Sequence, residues 1–340
     1  MKELKILGLV AAFTLILYIG VEPFAHKFLH PHVAPANFNI QQGDEELANE
    51  RIATAKKGVE EAEKKQIEDA LVAAKKELEK EESELASYNE LWERANTISA
   101  LTGNAQKGEE LFVMACTSCH GLKTQGFDAP FDDELSSEAY GVVVPDLSSA
   151  GAIYDEKFLI ALIENPSLAL KLSHKFNDDN PFPMTPFYGI EDDIEQEVAD
   201  IVAYLKSIAP SEISGKEIFS DACLRCHDMK YDKLLSPGDK AHLTSYMGMT
   251  PPDLSMMIRS RSAYYLNTFI NDPQKNLPGT SMPRVGLTEN AQEQVIQYME
   301  EVGDSKKSER TTVGIVLILF FTAMSVVAYF WKKEVWKDLH

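Results

Sequence analysis

Two uninterrupted apolar runs bracket this chain, and hydrophobic positions recur at helical spacing between them. Residues 6–21, ILGLVAAFTLILYIGV, follow Lys2 and Lys5; residues 312–331, TVGIVLILFFTAMSVVAYFW, precede Lys332, Lys333 and Lys337. A helix that crosses a bilayer needs about 20 apolar residues. The second run meets that length; the first is short unless residues 22–25 sit in the interface. Ala34-Pro35-Ala36 has the small-residue pattern of a signal-peptide cleavage site but lies far from the apolar run, so a retained anchor is the expectation. Lysines at both extreme ends predict both termini on the cytoplasmic side and the middle outside, with Lys306, Lys307 and Arg310 voting weakly against.

Residues 1–40 thus read as an anchor and linker, and 306–340 as a C-terminal transmembrane anchor. His26, His30 and His32 are set among prolines and are expected in an interfacial loop rather than a metal site. Over residues 41–103 the composition turns to Glu, Lys and Ala. Leu71, Leu78 and Leu85 repeat every seventh position, with Trp92 next and Ala74 and Tyr88 near the intervening seam. That predicts a charged helical spacer with one narrow apolar stripe, serving as a coiled-coil seam, a hairpin contact or a docked face. Farther on, Ile194, Val198, Ile201, Val202 and Leu205 mark one amphipathic helix, and Val295, Ile296 and Met299 another. No convincing alternating strand appears, so the expected class is all-α.

The middle of the chain repeats itself. GEELFVMACTSCH at 108–120 aligns with GKEIFSDACLRCH at 215–227, an offset of 215 − 108 = 107. Pro145-Asp146-Leu147-Ser148 matches Pro252-Asp253-Leu254-Ser255, and Asn165-Pro166 matches Asp272-Pro273, at the same offset. The register then breaks: 18 positions separate Pro166 from Met184, but only 9 separate Pro273 from Met282. Two copies of one small helical domain are expected, at 104–209 and 210–305.

Charge narrows the partners. With 53 Asp+Glu against 33 Lys+Arg, the formal net charge is −20. Nucleic acid is excluded, since a phosphate backbone requires clustered Lys and Arg. The acidity suits solubility, or attraction of a soluble protein with a basic patch.

All four cysteines fall in the two aligned motifs, Cys116-x-x-Cys119-His120 and Cys223-x-x-Cys226-His227. A redox dithiol needs a strand-then-helix context that is missing here. Structural zinc wants four ligands, and a histidine directly after the second cysteine is poorly placed to close a tetrahedron with both. Covalent attachment of haem c uses this spacing. Cysteines at i and i+3 share a helical face and can form two thioethers, while the next imidazole reaches the iron. We therefore expect two covalently bound haem c groups, with His120 and His227 as iron ligands.

For the sixth ligand, Met184 is the lone methionine between His120 and the second copy, in NPFPMTPFYG. Its flanking prolines stiffen a loop that presents the thioether. Met282, in GTSMPRVGLTE, holds the equivalent place; Met256 and Met257 are expected in the core, and His174 and His242 at the surface. His/Met ligation raises the potential relative to bis-His and saturates the iron, which suits electron transfer rather than catalysis.

On these residues each copy resembles the class I cytochrome c fold. The resemblance implies that the carbonyls of Pro145 and Pro252 accept the ligand histidine's Nδ1–H. It also implies that Leu147 and Leu254 pack on the porphyrin. PPDLSMMIRSRSAYYLNTFIND and the C-terminal anchor resemble cytochrome c1. The doubled domain with MKELKILGLVAAFTLILYIGVEPFAH resembles the di-haem cytochrome c subunit of certain bacterial cytochrome bc complexes. Such a subunit takes electrons from the Rieske iron–sulfur protein beside cytochrome b and passes them to a soluble cytochrome c or terminal oxidase. It works in the bacterial inner membrane with its haem domains on the periplasmic side, and is not catalytic alone. A di-haem subunit of a haem–copper oxidase and a di-haem peroxidase are the alternatives.

Overall fold

The computed structural model describes residues 2–21, 24, 25, 34–176 and 180–337, in two compact units, Met1–Pro35 and Ala36–His340. His26, His30 and His32, with Glu22 and Pro23, lie outside the described residues.

In the first unit, helix α1 (Lys2–Leu15) continues into a π-helical segment, Ile16–Val21. Its apolar part, Lys5–Val21, is short. Seventeen residues rising ~1.5 Å each reach ~25 Å, against a hydrocarbon core of ~30 Å. The expectation of a transmembrane helix at each end is therefore corrected. Among the described residues, one helix is long and apolar enough to cross a membrane, Lys307–Val335.

The second unit is built from helices. Helix α2 (Ile40–Lys65) is capped by Asn39, whose side chain accepts from the Gln42 N–H, and α3 spans Glu68–Ser99. Between them Gln66 turns left-handed (φ 54°) and donates its N–H to the Glu63 carbonyl. The two helices fold back as an antiparallel hairpin crossed by Arg51–Glu84 at 3.4 Å and Lys56–Glu82 at 3.8 Å. Of the uses expected for the apolar stripe, hairpin contact and docked face both occur. Ala48, Ile52 and Ala62 are buried on α2, while Tyr88, Leu91, Trp92, Ala95 and Ile98 dock on the helices that follow.

Those helices are α4 (Ala105–Ala115), α5 (Asp133–Tyr140), α6 (Ala150–Ile153), α7 (Glu156–Glu164), α8 (Pro166–Ala169) and α9 (Ile194–Ile208). Then come α10 (Gly215–Ala222), α11 (Lys240–Met247), α12 (Met257–Ser260), α13 (Ala263–Asn271), α14 (Pro273–Asn276) and α15 (Glu289–Gly303). The long α16 (Lys307–Val335) ends the chain. The sequence offset of 107 carries into the backbone: 240 − 133, 263 − 156 and 273 − 166 are each 107. The isolated bridges Leu122–Phe127 and Met229–Leu234 are also 107 apart. The closing helices α9 and α15 both have 15 residues but start 289 − 194 = 95 apart. The second repeat is therefore 107 − 95 = 12 residues shorter between its Asp272-Pro273 step and its last helix, where the sequence register breaks.

In both repeats the first helix crosses the last with backbones almost touching, and glycine makes the crossing possible. A Cβ at Gly108 would lie 1.9 Å from the Asp200 carbonyl oxygen, and one at Gly215 2.3 Å from that of Gln294. Asn104 caps α4, and Ser214 forms a capping box with Glu217 on α10, so the orphan N–H groups that open each repeat are satisfied.

The repeats interlock. Asp155 N–H donates to the Gly286 carbonyl at 2.9 Å, Thr288 N–H to that of Ile153 at 2.9 Å, and Arg284 N–H to that of Leu170 at 3.1 Å. Beneath these lies a buried ionic cluster from three segments. Asp44 of α2 meets Lys171 of the first repeat at 2.7 Å and Arg284 of the second through a two-pronged contact, one arm at 2.8 Å. Lys171 also binds Asp272 at 2.6 Å, and the Trp92 indole N–H donates to Asp44 at 3.0 Å. Two anions and two cations balance, as burial demands.

Candidate functional site

Helix α4 ends at Cys116, whose N–H still reaches the Phe112 carbonyl at 2.8 Å. The next turn closes on it: the N–H groups of Cys119 and His120 donate to the Cys116 carbonyl at 3.1 and 2.9 Å. The second motif repeats this arrangement. Cys223 N–H donates to Phe219 at 2.8 Å, and Cys226 and His227 donate to the Cys223 carbonyl at 3.1 and 3.0 Å. Both cysteines and the histidine of each motif thus project from one continuous turn.

Each imidazole is then pinned from behind. His120 Nδ1 lies 2.9 Å from the Pro145 carbonyl, and His227 Nδ1 lies 2.8 Å from that of Pro252. A carbonyl only accepts, so Nδ1 carries the proton and Nε2 keeps its lone pair free. Burial pushes both imidazoles below the ordinary histidine pKa, while the proline carbonyl pulls the other way. Both imidazoles are therefore held neutral near pH 7.

The proline segments are themselves clamped by a residue that sequence reasoning left without a role. Asp146 accepts from the N–H groups of Lys123 (3.1 Å) and Ser148 (2.9 Å), and Asp253 from those of Lys230 (3.3 Å) and Ser255 (3.1 Å). Leu147 and Leu254 are bonded in turn, their N–H groups reaching Gly121 and Asp228 at 3.0 and 2.9 Å. The signal was in the repeated Pro-Asp-Leu-Ser tetrapeptide, whose aspartate ties the segment to the turn behind the histidine.

The four cysteines form no disulfide and are half-buried. Burial pushes the Cys116 and Cys223 thiols up to about 12 and raises Cys226 as well, the wrong direction for a dithiol nucleophile. Among the described residues no three His, Cys, Asp or Glu side chains converge as a metal cluster. Cys116 and Leu147 rest against the core of Leu111, Phe112, Leu122, Ile201, Tyr204 and Leu205; Cys223 and Leu254 rest against that of the second repeat. In each repeat a cysteine and a leucine on one apolar wall, with a second cysteine and an imidazole of free Nε2 from the same turn, fit the needs of covalent haem.

Met184 and Met282 stand outside this hydrogen-bonded frame, half-buried on the irregular segments before α9 and α15. The other methionines of the second repeat are otherwise engaged. Met229, Met247 and Met299 are core residues and Met249 is exposed. The Met256 sulfur accepts from the Tyr231 hydroxyl at 2.9 Å, and that of Met257 from Ser260. Met256 is exposed, which corrects its expected place in the core: its short 3₁₀ turn leaves it outside while Ser255 is buried. His174 and His242 are exposed, as expected.

Residues 105–209, which span the first motif, Pro145, Leu147 and Met184, match the cytochrome c family. The chain carries a cytochrome c domain. Cytochrome c of Tetrahymena pyriformis is 24% identical over 115 residues, covering 33% of this chain and 94% of that protein. An ammonia monooxygenase gamma subunit of Nitrosomonas europaea is 28% identical over 139 residues, covering 30% of this chain. This chain spans 59% of that relative's length. A solved chain titled Hyperthermophilic respiratory Complex III is 23% identical, covering 37% of this chain and 75% of its own, with a TM-score of 0.31. The match over residues 105–209 implies covalently bound haem c in this domain, with electron transfer as the domain's chemistry.

Proposed function

We propose that the chain is a membrane-anchored di-haem c electron-transfer subunit of a quinol–cytochrome c reductase. In this reading two tandem class I cytochrome c domains occupy residues 104–209 and 210–305. The observation that carries it is the recurrence of the pinned histidine: His227 on Pro252 at 2.8 Å repeats His120 on Pro145 at 2.9 Å, each behind a cysteine pair.

Cys116 and Cys119 hold the first haem by thioethers, with His120 and Met184 as iron ligands. Cys223, Cys226, His227 and Met282 do the same for the second. Haem supplies reversible one-electron exchange; the protein's part is to hold each imidazole neutral and oriented through Pro145 and Pro252 and to exclude water with Leu147 and Leu254. The α16 span anchors the second domain. The lysines that follow it support a reading with the C-terminus in the cytoplasm and both haem domains in the periplasm of a bacterial inner membrane. Cytochrome b and the Rieske iron–sulfur protein are the partners on the donor side, and a soluble cytochrome c or terminal oxidase is the acceptor.

The test is gentle detergent extraction followed by two measurements. A pyridine haemochrome assay should give two haems per chain, and co-purifying subunits should include a cytochrome b and a Rieske protein. One haem per chain would remove the di-haem reading. A copper-containing oxidase in place of the two partners would move the subunit to a haem–copper oxidase.

A further inference from the structure

The second motif contains a cation that faces the first. Arg225 stands between Cys223 and Cys226, and its Nη1 donates to the Val143 carbonyl of the first repeat at 3.4 Å. Val143 lies two residues before Pro145, the residue whose carbonyl pins His120. The guanidinium thus sits between the two haem-binding motifs, covalently part of one and hydrogen-bonded to the frame of the other.

Its surroundings are unusual for so acidic a chain. Among the described residues Arg225 makes no ion pair, although the protein holds 53 carboxylates; its hydrogen bond goes to a neutral carbonyl. Lys175 mirrors it from the other side: a first-repeat cation whose Nζ donates to the Tyr246 carbonyl of the second repeat and lies 4.1 Å from the Tyr246 ring centroid. It too has no carboxylate partner among the described residues. A buried or half-buried cation is ordinarily neutralised. Among the described residues no carboxylate pairs with either cation along the seam between the repeats.

We propose that Arg225 is a shared electrostatic positioning residue, whose charge between the two motifs favours the reduced state of both haems. The inference rests on the di-haem reading. An iron centre gains an electron more readily beside a fixed positive charge, and a low-dielectric seam screens that charge less than water does. Arg225 is placed to act on the first site from within the second, so the two sites share one tuning element.

The experiment is spectroelectrochemical titration of the detergent-solubilised, haem-loaded full chain, comparing wild type, Arg225→Gln and Arg225→Lys. Glutamine keeps a donor for the Val143 carbonyl and removes the charge; lysine keeps the charge. At a fixed poise, Arg225→Gln should lower the reduced-to-oxidised ratio at both haems by about three- to tenfold, the scale of one partly screened charge at mid-range. Arg225→Lys should restore most of it, with haem content and the Soret spectrum unchanged in both variants. Unchanged ratios in Arg225→Gln, or equal shifts in both variants, would overturn the proposal. A single haem in wild type would instead overturn the di-haem reading, so the two failures are told apart.

Discussion

Replacing Asp44 by asparagine removes one charge from the buried cluster while keeping its shape. In the native protein the Asp44 side chain is fully buried, and its partners Lys171 and Arg284 are 4% and 3% exposed. Asp272 alone cannot neutralise both cations: it bonds Lys171 at 2.6 Å but stands 3.5 Å from Arg284. Arg284 would lose its two-pronged acceptor, the Trp92 indole would lose a charged acceptor, and a net positive charge would remain in the interior. Breaking a buried pair by removing one partner costs about 3–5 kcal/mol, because the survivor stays desolvated and unpaired. With a urea m-value of about 3 kcal/mol/M, the denaturation midpoint should fall by about 1–1.7 M. The assay is urea unfolding of the haem-loaded chain in detergent, followed by far-UV circular dichroism and by Trp92 fluorescence. A double variant, Asp44→Asn with Lys171→Met, restores neutrality and should recover part of the loss. A midpoint change below about 0.3 M would refute the reasoning, since the cluster would then be worth no more than an exposed pair.

Acid should expose the same cluster. Burial raises the Asp44 carboxyl, but Arg284 and Lys171 outweigh it and leave its pKa below the ordinary value. Its contribution is therefore present above the unfolded value of about 3.9 and lost as pH falls through the lower folded one; Asp44→Asn should flatten the stability profile below about pH 4, and a profile as steep as wild type would count against it. Gly108→Ala forces a methyl into the α4–α9 crossing and should cost about 1–3 kcal/mol or more, read as a lower thermal midpoint. Met282→Ala should remove the thioether-to-iron band of one haem while leaving two haems per chain, as visible spectra and haemochrome assay can check.

What was legible in the sequence is what is local. The Cys-x-x-Cys-His turns and the proline–leucine segments each depend on residues close in the chain, and the offset of 107 shows because these local patterns recur. Their backbone hydrogen bonds follow from that spacing. The hairpin reversal was not legible because the left-handed residue is Gln66, with no Gly or Pro to mark it; Gly58, the one glycine nearby, lies within unbroken helix. Nor was the ionic cluster. Asp44, Lys171, Asp272 and Arg284 look like ordinary surface charges until the fold brings three distant segments together, and no periodicity relates them. Arg225 is the intermediate case: its place in the motif was plain, but its neighbour Val143 belongs to the other repeat.

The connector between α15 and α16 has a mechanical consequence. Helix α15 ends at Gly303, and α16 begins at Lys307. The junction is braced by paired Arg310–Asp304 contacts at 2.8 Å and by Lys307–Glu300. With α16 in a bilayer, three residues leave the second repeat almost no tether. It would ride at a fixed height over the lipid. In the proposed reading, any movement between electron donor and acceptor then falls to the partner proteins.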